Sequence, residues 1–202
     1  MTEEKIRFLS KDLLIEGLLC IQEGEKGVVV THPHSLYGGT MYNQVVETLV
    51  EVYQDNAFST LRFNFRGVEG SEGRYDEGKG EQEDARSALR YMYERGKRDV
   101  DLAGYSFGAW VNAKINDTHS LCNRIVMISP PVAFLDFSFL SLNPKIRLVV
   151  TGSKDDIAPA DKITNVINTW NPKAHLEVIE GADHFYTSKI GSLKPALSRF
   201  IS

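Results

Sequence analysis

The alternation of short apolar runs with longer segments of helical periodicity constrains the fold of this chain more than any other feature. The run KGVVVTH at 26–32 is β-branched and continuous, which is typical of a strand buried on both faces. In the segments between such runs, apolar residues recur at the three- and four-residue spacing of a helix. Alternating strands and helices pack as a mostly parallel sheet with helices on both faces. The sequence therefore predicts a three-layer α/β sandwich, formed as a single domain over residues 1–202.

We predict about eight strands, and the first two have no helical segment between them. These two should form an antiparallel pair at one edge of the sheet. The strand segments are IRFL, LLIEGLLCI, KGVVVTH, FSTLRFNF, DVDLAG, NRIVMISPP, KIRLVVTG and HLEVIEG. Helices are predicted over residues 38–56, 81–95, 106–117, 159–170 and 190–201.

Composition and charge exclude some classes of partner. The 202 residues carry a net charge of −4 and include no basic tract, so neither nucleic acid nor an anionic membrane is an expected partner. The N-terminus is charged and lacks the apolar core of a signal peptide. No apolar run approaches the roughly 20 residues of a membrane helix. We expect a cytoplasmic protein.

A serine flanked by two glycines follows one of the predicted strands and begins a predicted helix. Ser106 lies between Gly104 and Gly108, in the G-x-S-x-G pattern of a nucleophile elbow. Glycines at these positions allow the strand and the helix to pass closely, and the tight turn raises the serine hydroxyl above the sheet. The alternative is a serine in an ordinary strand-to-helix turn.

A serine hydroxyl becomes a useful nucleophile when a base takes its proton and an acid orients that base. Candidates for both partners follow later strands, in the order serine, acid, histidine. Asp155 and Asp156 follow one strand, and His184 follows the last. Asp156 also suits the start of the next helix, where a carboxylate caps backbone amides. A loop histidine contacting only solvent is the alternative for His184.

An ester carbonyl under attack also needs backbone N–H donors for its oxyanion. Phe107, which follows the candidate nucleophile, should supply one amide, and His34, in the loop after the third strand, the other. The alternative is a metal site formed by His32 and His34. The other three histidines show no metal-ligand spacing, so we expect no metal and no cofactor.

Three segments, including the one around Ser106, resemble motifs of the α/β-hydrolase superfamily, and more narrowly those of small bacterial α/β serine hydrolases. They read HPHSLYGGTM, RFNFRGVEGSEGRYD and GYSFGA, where that group carries HPHPLYGGTM, RFNFRGVGxSxGxxD and GxSFGA. Ser35 and Glu69 depart from the pattern, in place of proline and glycine. The resemblance implies an α/β-hydrolase sheet and the following roles: Ser106 as nucleophile, Asp155 as acid, His184 as base, and His34 and Phe107 as oxyanion donors.

Many members of the superfamily insert a helical lid after the sixth strand, but this chain has no room for one. The segment PPVAFLDFSFLSLNP, at 130–144, is too short for a lid domain. Phe134 in this segment is a candidate wall for the acyl group, and Tyr37 and Phe185 flank the predicted catalytic loops. The alternative is that the apolar side chains of the segment cover the edge of the sheet.

The sequence therefore predicts a serine hydrolase that cleaves a small carboxylic ester or thioester through an acyl-enzyme. A small-molecule ester is the expected partner, and the sequence leaves the oligomeric state open. Two alternatives remain: a ligand-binding or scaffold protein that retains the fold without catalysis, and a peptidase of the same fold.

Overall fold

The computed structural model describes residues 1–115 and 121–201, and these ranges contain eight strands, five α-helices and one short 3-10 helix, Ser35–Tyr37. The end of the helix predicted over 106–117 lies outside the described residues. None of the described helices combines the length and the apolar character needed to cross a bilayer. The strands are β1 (Glu4–Ser10), β2 (Leu13–Cys20), β3 (Lys26–Thr31), β4 (Ser59–Phe63), β5 (Asp99–Tyr105), β6 (Arg124–Ile128), β7 (Ile146–Gly152) and β8 (His175–Ile179). The helices are α1 (Gln44–Asp55), α2 (Lys79–Glu94), α3 (Phe107–Ala113), α4 (Ala160–Trp170) and α5 (Ile190–Ile201).

All eight strands form one sheet, in the order β1-β2-β4-β3-β5-β6-β7-β8. Strand β2 is antiparallel to both of its neighbours, β1 and β4, and every pair from β4 through β8 is parallel. The predicted mostly parallel sheet with an antiparallel N-terminal edge is therefore confirmed.

Successive residues of the central strands pack into two separate hydrophobic cores, one on each face of the sheet. Val28 and Val30 of β3 pack against α1 and α5, whereas Val29 between them packs on the side of α2, α3 and α4. This alternation follows from the two-residue period of side chains along a strand. Both faces of the strand are covered, which explains why its sequence is continuously apolar.

The first helix begins later than its apolar spacing predicts. Helix α1 starts at Gln44 rather than near residue 38, because the Asn43 side chain accepts a hydrogen bond from the amide of Val45 and caps the helix there. Met41, which has helical spacing with the residues of α1, lies in the preceding turn and is still buried.

The connection between β6 and β7 contains neither helix nor strand from residue 129 to residue 145. It folds back on the loop that follows β7, where the Ala133 amide donates to the Ile157 carbonyl at 3.1 Å. The expectation that no lid domain is present is therefore confirmed. The carboxyl edge of the sheet, where ligands bind in such folds, carries the loops that hold the candidate residues.

Candidate active site

Ser106 occupies a strained turn between β5 and α3. Its φ of 54° and ψ of −116° lie in a region that non-glycine residues rarely adopt. Its amide donates to the Ile128 carbonyl at the end of β6, at 2.8 Å, and its carbonyl accepts from the Trp110 amide at 3.2 Å. Hydrogen bonds to the neighbouring strand and to the first turn of α3 therefore hold the strained conformation in place.

The two glycines of the motif are required because atoms of β3 and α3 pass too close to them to leave room for a side chain. A Cβ at Gly104 would lie 2.6 Å from Thr31 Oγ1 and 2.6 Å from Asn112 Nδ2, and a Cβ at Gly108 would lie 2.7 Å from the carbonyl oxygen of His32. Contacts this short do not occur for real side chains, so a larger residue would force α3 away from β3. The strand–turn–helix setting expected for a nucleophile elbow is therefore present.

Three buried side chains from three loops form one hydrogen-bonded relay. Ser106 Oγ lies 2.9 Å from His184 Nε2. On the other side of the imidazole, His184 Nδ1 lies 2.9 Å and 3.0 Å from the two carboxylate oxygens of Asp155. With the proton on Nδ1 donated to Asp155, Nε2 is free to accept the serine proton.

Asp155, rather than Asp156, is the carboxylate beside the histidine. Oδ1 of Asp155 also accepts the amides of Ile157 at 3.0 Å and Ala158 at 2.7 Å, so the turn-capping role that the sequence suggests for Asp156 falls to Asp155. Asp156 is exposed. Burial acts to raise the pKa of Asp155, but the hydrogen bond and charge of His184 and the Ala158 amide hold that pKa below its ordinary value. Asp155 is therefore a stable carboxylate partner for the imidazole.

A second group of buried hydroxyls surrounds the relay, and the sequence analysis did not identify it. The Tyr105 hydroxyl donates to the His184 carbonyl oxygen at 2.7 Å. The Ser129 hydroxyl lies 3.0 Å from the Tyr186 hydroxyl, and it also contributes to lowering the pKa of Asp155. A buried tyrosine generally requires a hydrogen-bond partner, but no sequence spacing indicates which partner it finds.

The loop after β3 carries the predicted oxyanion donor, His34. The His34 ring packs at 4.6 Å from the Phe107 ring, 4.8 Å from the Tyr37 ring and 5.1 Å from the Tyr75 ring. Its Nδ1 accepts the Leu36 amide at 3.2 Å, and burial lowers the pKa of the imidazole. Neither the His34 amide nor the Phe107 amide donates to any residue in the part of the chain that the structure describes. Both N–H groups are therefore available to a ligand.

The neighbouring histidine has a structural role. His32 is fully buried; its Nδ1 lies 2.6 Å from the Pro33 carbonyl, and its Nε2 accepts the Phe65 amide at 2.9 Å. Both ring nitrogens of His32 are thus occupied by backbone groups, which leaves no lone pair for a metal. Within residues 1–115 and 121–201, no group of three or more His, Cys, Asp or Glu side chains is arranged to hold a metal ion.

The three predicted pocket residues are exposed, and two of them contact histidines of the site. Tyr37 is 86% exposed and packs on His34, while Phe185 is 68% exposed and meets the His184 ring edge to face at 5.6 Å. Phe134 is 73% exposed, on the segment that contacts the loop of Asp155. The structure therefore presents these rings at the surface rather than in a closed pocket.

Comparison with known proteins agrees with the fold. No protein-family model matches the chain. An uncharacterized protein of Rickettsia prowazekii is 36% identical over 183 residues, which are 86% of this chain and 77% of that protein. The structure of an alpha-beta serine hydrolase homologue from Coxiella burnetii is 32% identical, has a TM-score of 0.92, and covers 100% of this chain and 99% of its own.

A third similar protein, from Xanthomonas campestris, is described as an a/b serine hydrolase without lid. It is 26% identical, with a TM-score of 0.87 over 98% of this chain and 93% of that one. Both similarities extend over nearly the whole chain, and both similar proteins are described as serine hydrolases or their homologues. The chain therefore belongs to the α/β-hydrolase superfamily, among its serine hydrolase homologues.

Proposed function

We propose that the protein is a serine hydrolase that cleaves a small carboxylic ester or thioester through an acyl-enzyme. The observation that carries this proposal is the buried relay in which Ser106, His184 and Asp155 are joined by contacts of 2.9 to 3.0 Å. Such a relay on a strained elbow serves to activate a hydroxyl that is otherwise a weak nucleophile.

In the proposed reaction, Ser106 Oγ attacks the carbonyl carbon while its proton passes to His184 Nε2. The alcohol or thiol then leaves with that proton, and the acyl group remains on Ser106. A water molecule next gives its proton to His184 and attacks the acyl-enzyme, which releases the carboxylic acid and restores the serine. Asp155 remains ionised throughout and stabilises the imidazolium that forms twice in each cycle.

The amides of His34 and Phe107 would bind the oxyanion that forms in both steps. Both N–H groups lack acceptors among the described residues, and ring packing between the two side chains at 4.6 Å fixes the loops that carry them. A preorganised donor of this kind is worth about 3 kcal/mol of transition-state stabilisation. The His34 ring would thus hold the loop in position, and the His34 amide would stabilise the negative charge of the oxyanion.

The exposed rings of Tyr37, Phe134 and Phe185 would contact the apolar part of the substrate. Tyr37 packs on His34, the proposed oxyanion donor, and Phe185 packs on His184, so a group bound at Ser106 would lie against them. The rings are open to solvent, and no lid covers them. This favours a small-molecule ester that binds at the surface over a substrate that must be fully enclosed.

A fluorophosphonate probe tests the nucleophile directly. We expect the folded wild-type protein to be labelled at Ser106, Ser106→Ala to be unlabelled, and Ser192→Ala, which removes an exposed serine at the start of α5, to be labelled as the wild type is. Failure to label the folded wild-type protein would favour the non-catalytic ligand-binding or scaffold protein.

A panel of p-nitrophenyl esters, coenzyme A thioesters and peptide p-nitroanilides then separates the substrate classes. Turnover of esters or thioesters that Ser106→Ala abolishes supports the proposal. Turnover of the anilides alone would assign a peptidase instead.

A further inference from the structure

We propose that Tyr105, the residue immediately before the nucleophile, is a positioning residue that fixes the histidine loop to the strand that carries Ser106. The proposal rests on the proposed function, because it concerns the geometry of the same relay. It assigns to the second residue of the G-x-S-x-G motif a role that the motif itself does not require.

The geometry comes from one hydrogen bond across the carboxyl edge of the sheet. Tyr105 is the last residue of β5 and is buried, and its hydroxyl donates to the backbone carbonyl of His184 at 2.7 Å. Its ring also packs at 5.6 Å from the His184 imidazole. The phenol thus holds both the main chain and the side chain of His184.

With this hydrogen bond, two neighbouring residues of β5 and its following turn both contact His184. The segment Tyr105–Ser106 meets His184 twice, through the phenol and the carbonyl, and through Ser106 Oγ and His184 Nε2. Because the two donors are adjacent along the chain, movement of the histidine loop away from the serine must break the phenol contact. Among the residues the structure describes, the His184 carbonyl has no donor other than Tyr105.

The hydroxyl is a reliable donor because it stays protonated. Burial raises the pKa of Tyr105 well above the ordinary value, and the charges of Tyr186, Asp155 and Asp183 add to this effect. The other side of the histidine loop is held by backbone contacts, such as the Lys154 amide to the Ala182 carbonyl at 2.9 Å. Loss of the hydroxyl would therefore release the histidine loop at His184, while the start of the loop, at Ala182, would stay hydrogen-bonded to Lys154.

Tyr105→Phe removes the hydroxyl and retains the ring, so it isolates the hydrogen bond. The matched control is Tyr53→Phe. Tyr53 is also fully buried, and its hydroxyl donates to Asp101 Oδ2 at 3.0 Å, four residues before Tyr105 on the same strand. Both variants lose one buried tyrosine hydrogen bond, but Tyr53 contacts no part of the relay.

The experiment compares kcat and KM for p-nitrophenyl acetate, the rate of fluorophosphonate labelling, and unfolding by urea in the wild type and the two variants. We expect both variants to unfold at lower urea concentration. We expect Tyr105→Phe alone to lose kcat and labelling rate, by about tenfold to a hundredfold, because a small misplacement of the base has effects of this size. KM should stay within about twofold of the wild type, since the phenol does not contact the substrate.

Equal kcat and labelling rate in Tyr105→Phe and the wild type would overturn the proposal while leaving the serine hydrolase function intact. Equal losses in both variants would also overturn it, because the effect would then be one of stability. A wild-type protein that neither labels nor turns over esters would remove the proposed function instead.

Proton NMR tests the positioning role even if the wild-type protein neither labels nor turns over esters. The proton between His184 Nδ1 and Asp155 should give a far-downfield proton resonance, which Asp155→Asn would identify by its loss. We expect Tyr105→Phe to broaden or shift this resonance and Tyr53→Phe to leave it unchanged. An unchanged resonance in Tyr105→Phe would refute the positioning role whether or not the protein is an enzyme.

Discussion

Replacing Asp155 with asparagine should invert the proton arrangement of the relay while preserving its shape. Oδ1 of Asp155 accepts two backbone amides, from Ile157 and Ala158. In Asp155→Asn, these donors hold the amide oxygen at the Oδ1 position, so the NH2 group must occupy the Oδ2 position. That position lies 3.0 Å from His184 Nδ1.

An NH2 group at this position donates to His184 Nδ1, and the amide oxygen beside it, 2.9 Å from Nδ1, already accepts two backbone amides, so the imidazole proton moves to Nε2. Nε2 then presents a proton to Ser106 Oγ, 2.9 Å away, and can no longer accept one. Loss of the correct tautomer in a serine relay lowers kcat by about 10⁴-fold, which corresponds to about 5 kcal/mol of transition-state stabilisation. The fold should survive, because both backbone hydrogen bonds to residue 155 are retained.

The assay is the initial rate of p-nitrophenyl acetate hydrolysis, with fluorophosphonate labelling as a second measure. Asp156→Asn is the matched control, because it removes the same charge one residue away, at an exposed position outside the relay. We expect its rate to stay within about twofold of the wild type. More than a tenth of the wild-type kcat in Asp155→Asn, or an equal loss in Asp156→Asn, would refute the role of Asp155 in setting the tautomer of His184.

Two other predictions concern stability and substrate preference. The folded-state pKa of His32 is about 4, mainly because burial disfavours its charged form, against an ordinary value of 6.5. The unfolded chain therefore binds more protons between these values, and stability is fully present above pH 6.5 and is lost as pH falls toward 4. Urea unfolding should show about 2 kcal/mol less stability at pH 5 than at pH 7.5 from this group, and a pH dependence as large in His32→Gln as in the wild type would contradict this origin. Phe134→Ala should raise KM for p-nitrophenyl octanoate more than for the acetate, and equal effects on both esters would mean that Phe134 only covers the edge of the sheet.

The sheet could be predicted from the sequence because each of its strands is a local pattern. The continuous apolar run of β3 indicates burial on both faces, and the structure shows that Val28 and Val29 enter opposite cores. The start of α1 could not be placed in the same way. Met41 continues the apolar spacing of the helix, but the cap at Asn43 overrides that spacing.

The candidate site was predictable where its residues follow strand ends, and it was not predictable where they meet across the fold. Ser106, Asp155 and His184 each occupy the first loop after a strand, so topology alone brings them to one edge. The contact of Tyr105 with His184 joins residues 79 positions apart. It depends on the length and direction of one side chain, and no periodic pattern in the sequence encodes either.

Because side chains alternate between the two faces of β5, the two residues before Ser106 lie against different layers of helices. Gly104 lacks a side chain where Asn112 of α3 and Thr31 of β3 approach it, and that closeness allows the tight elbow. Tyr105 packs in the core formed with α1 and α5, which also contains residues of the loop after β8 such as Ala182 and Tyr186. The residue before Ser106 therefore belongs to the same core as the histidine loop. Substitutions that loosen the part of this core between Tyr105 and the histidine loop would change the distance between Ser106 Oγ and His184 Nε2, whereas equal destabilisation of the core around α2, α3 and α4 would reach the site only through the elbow.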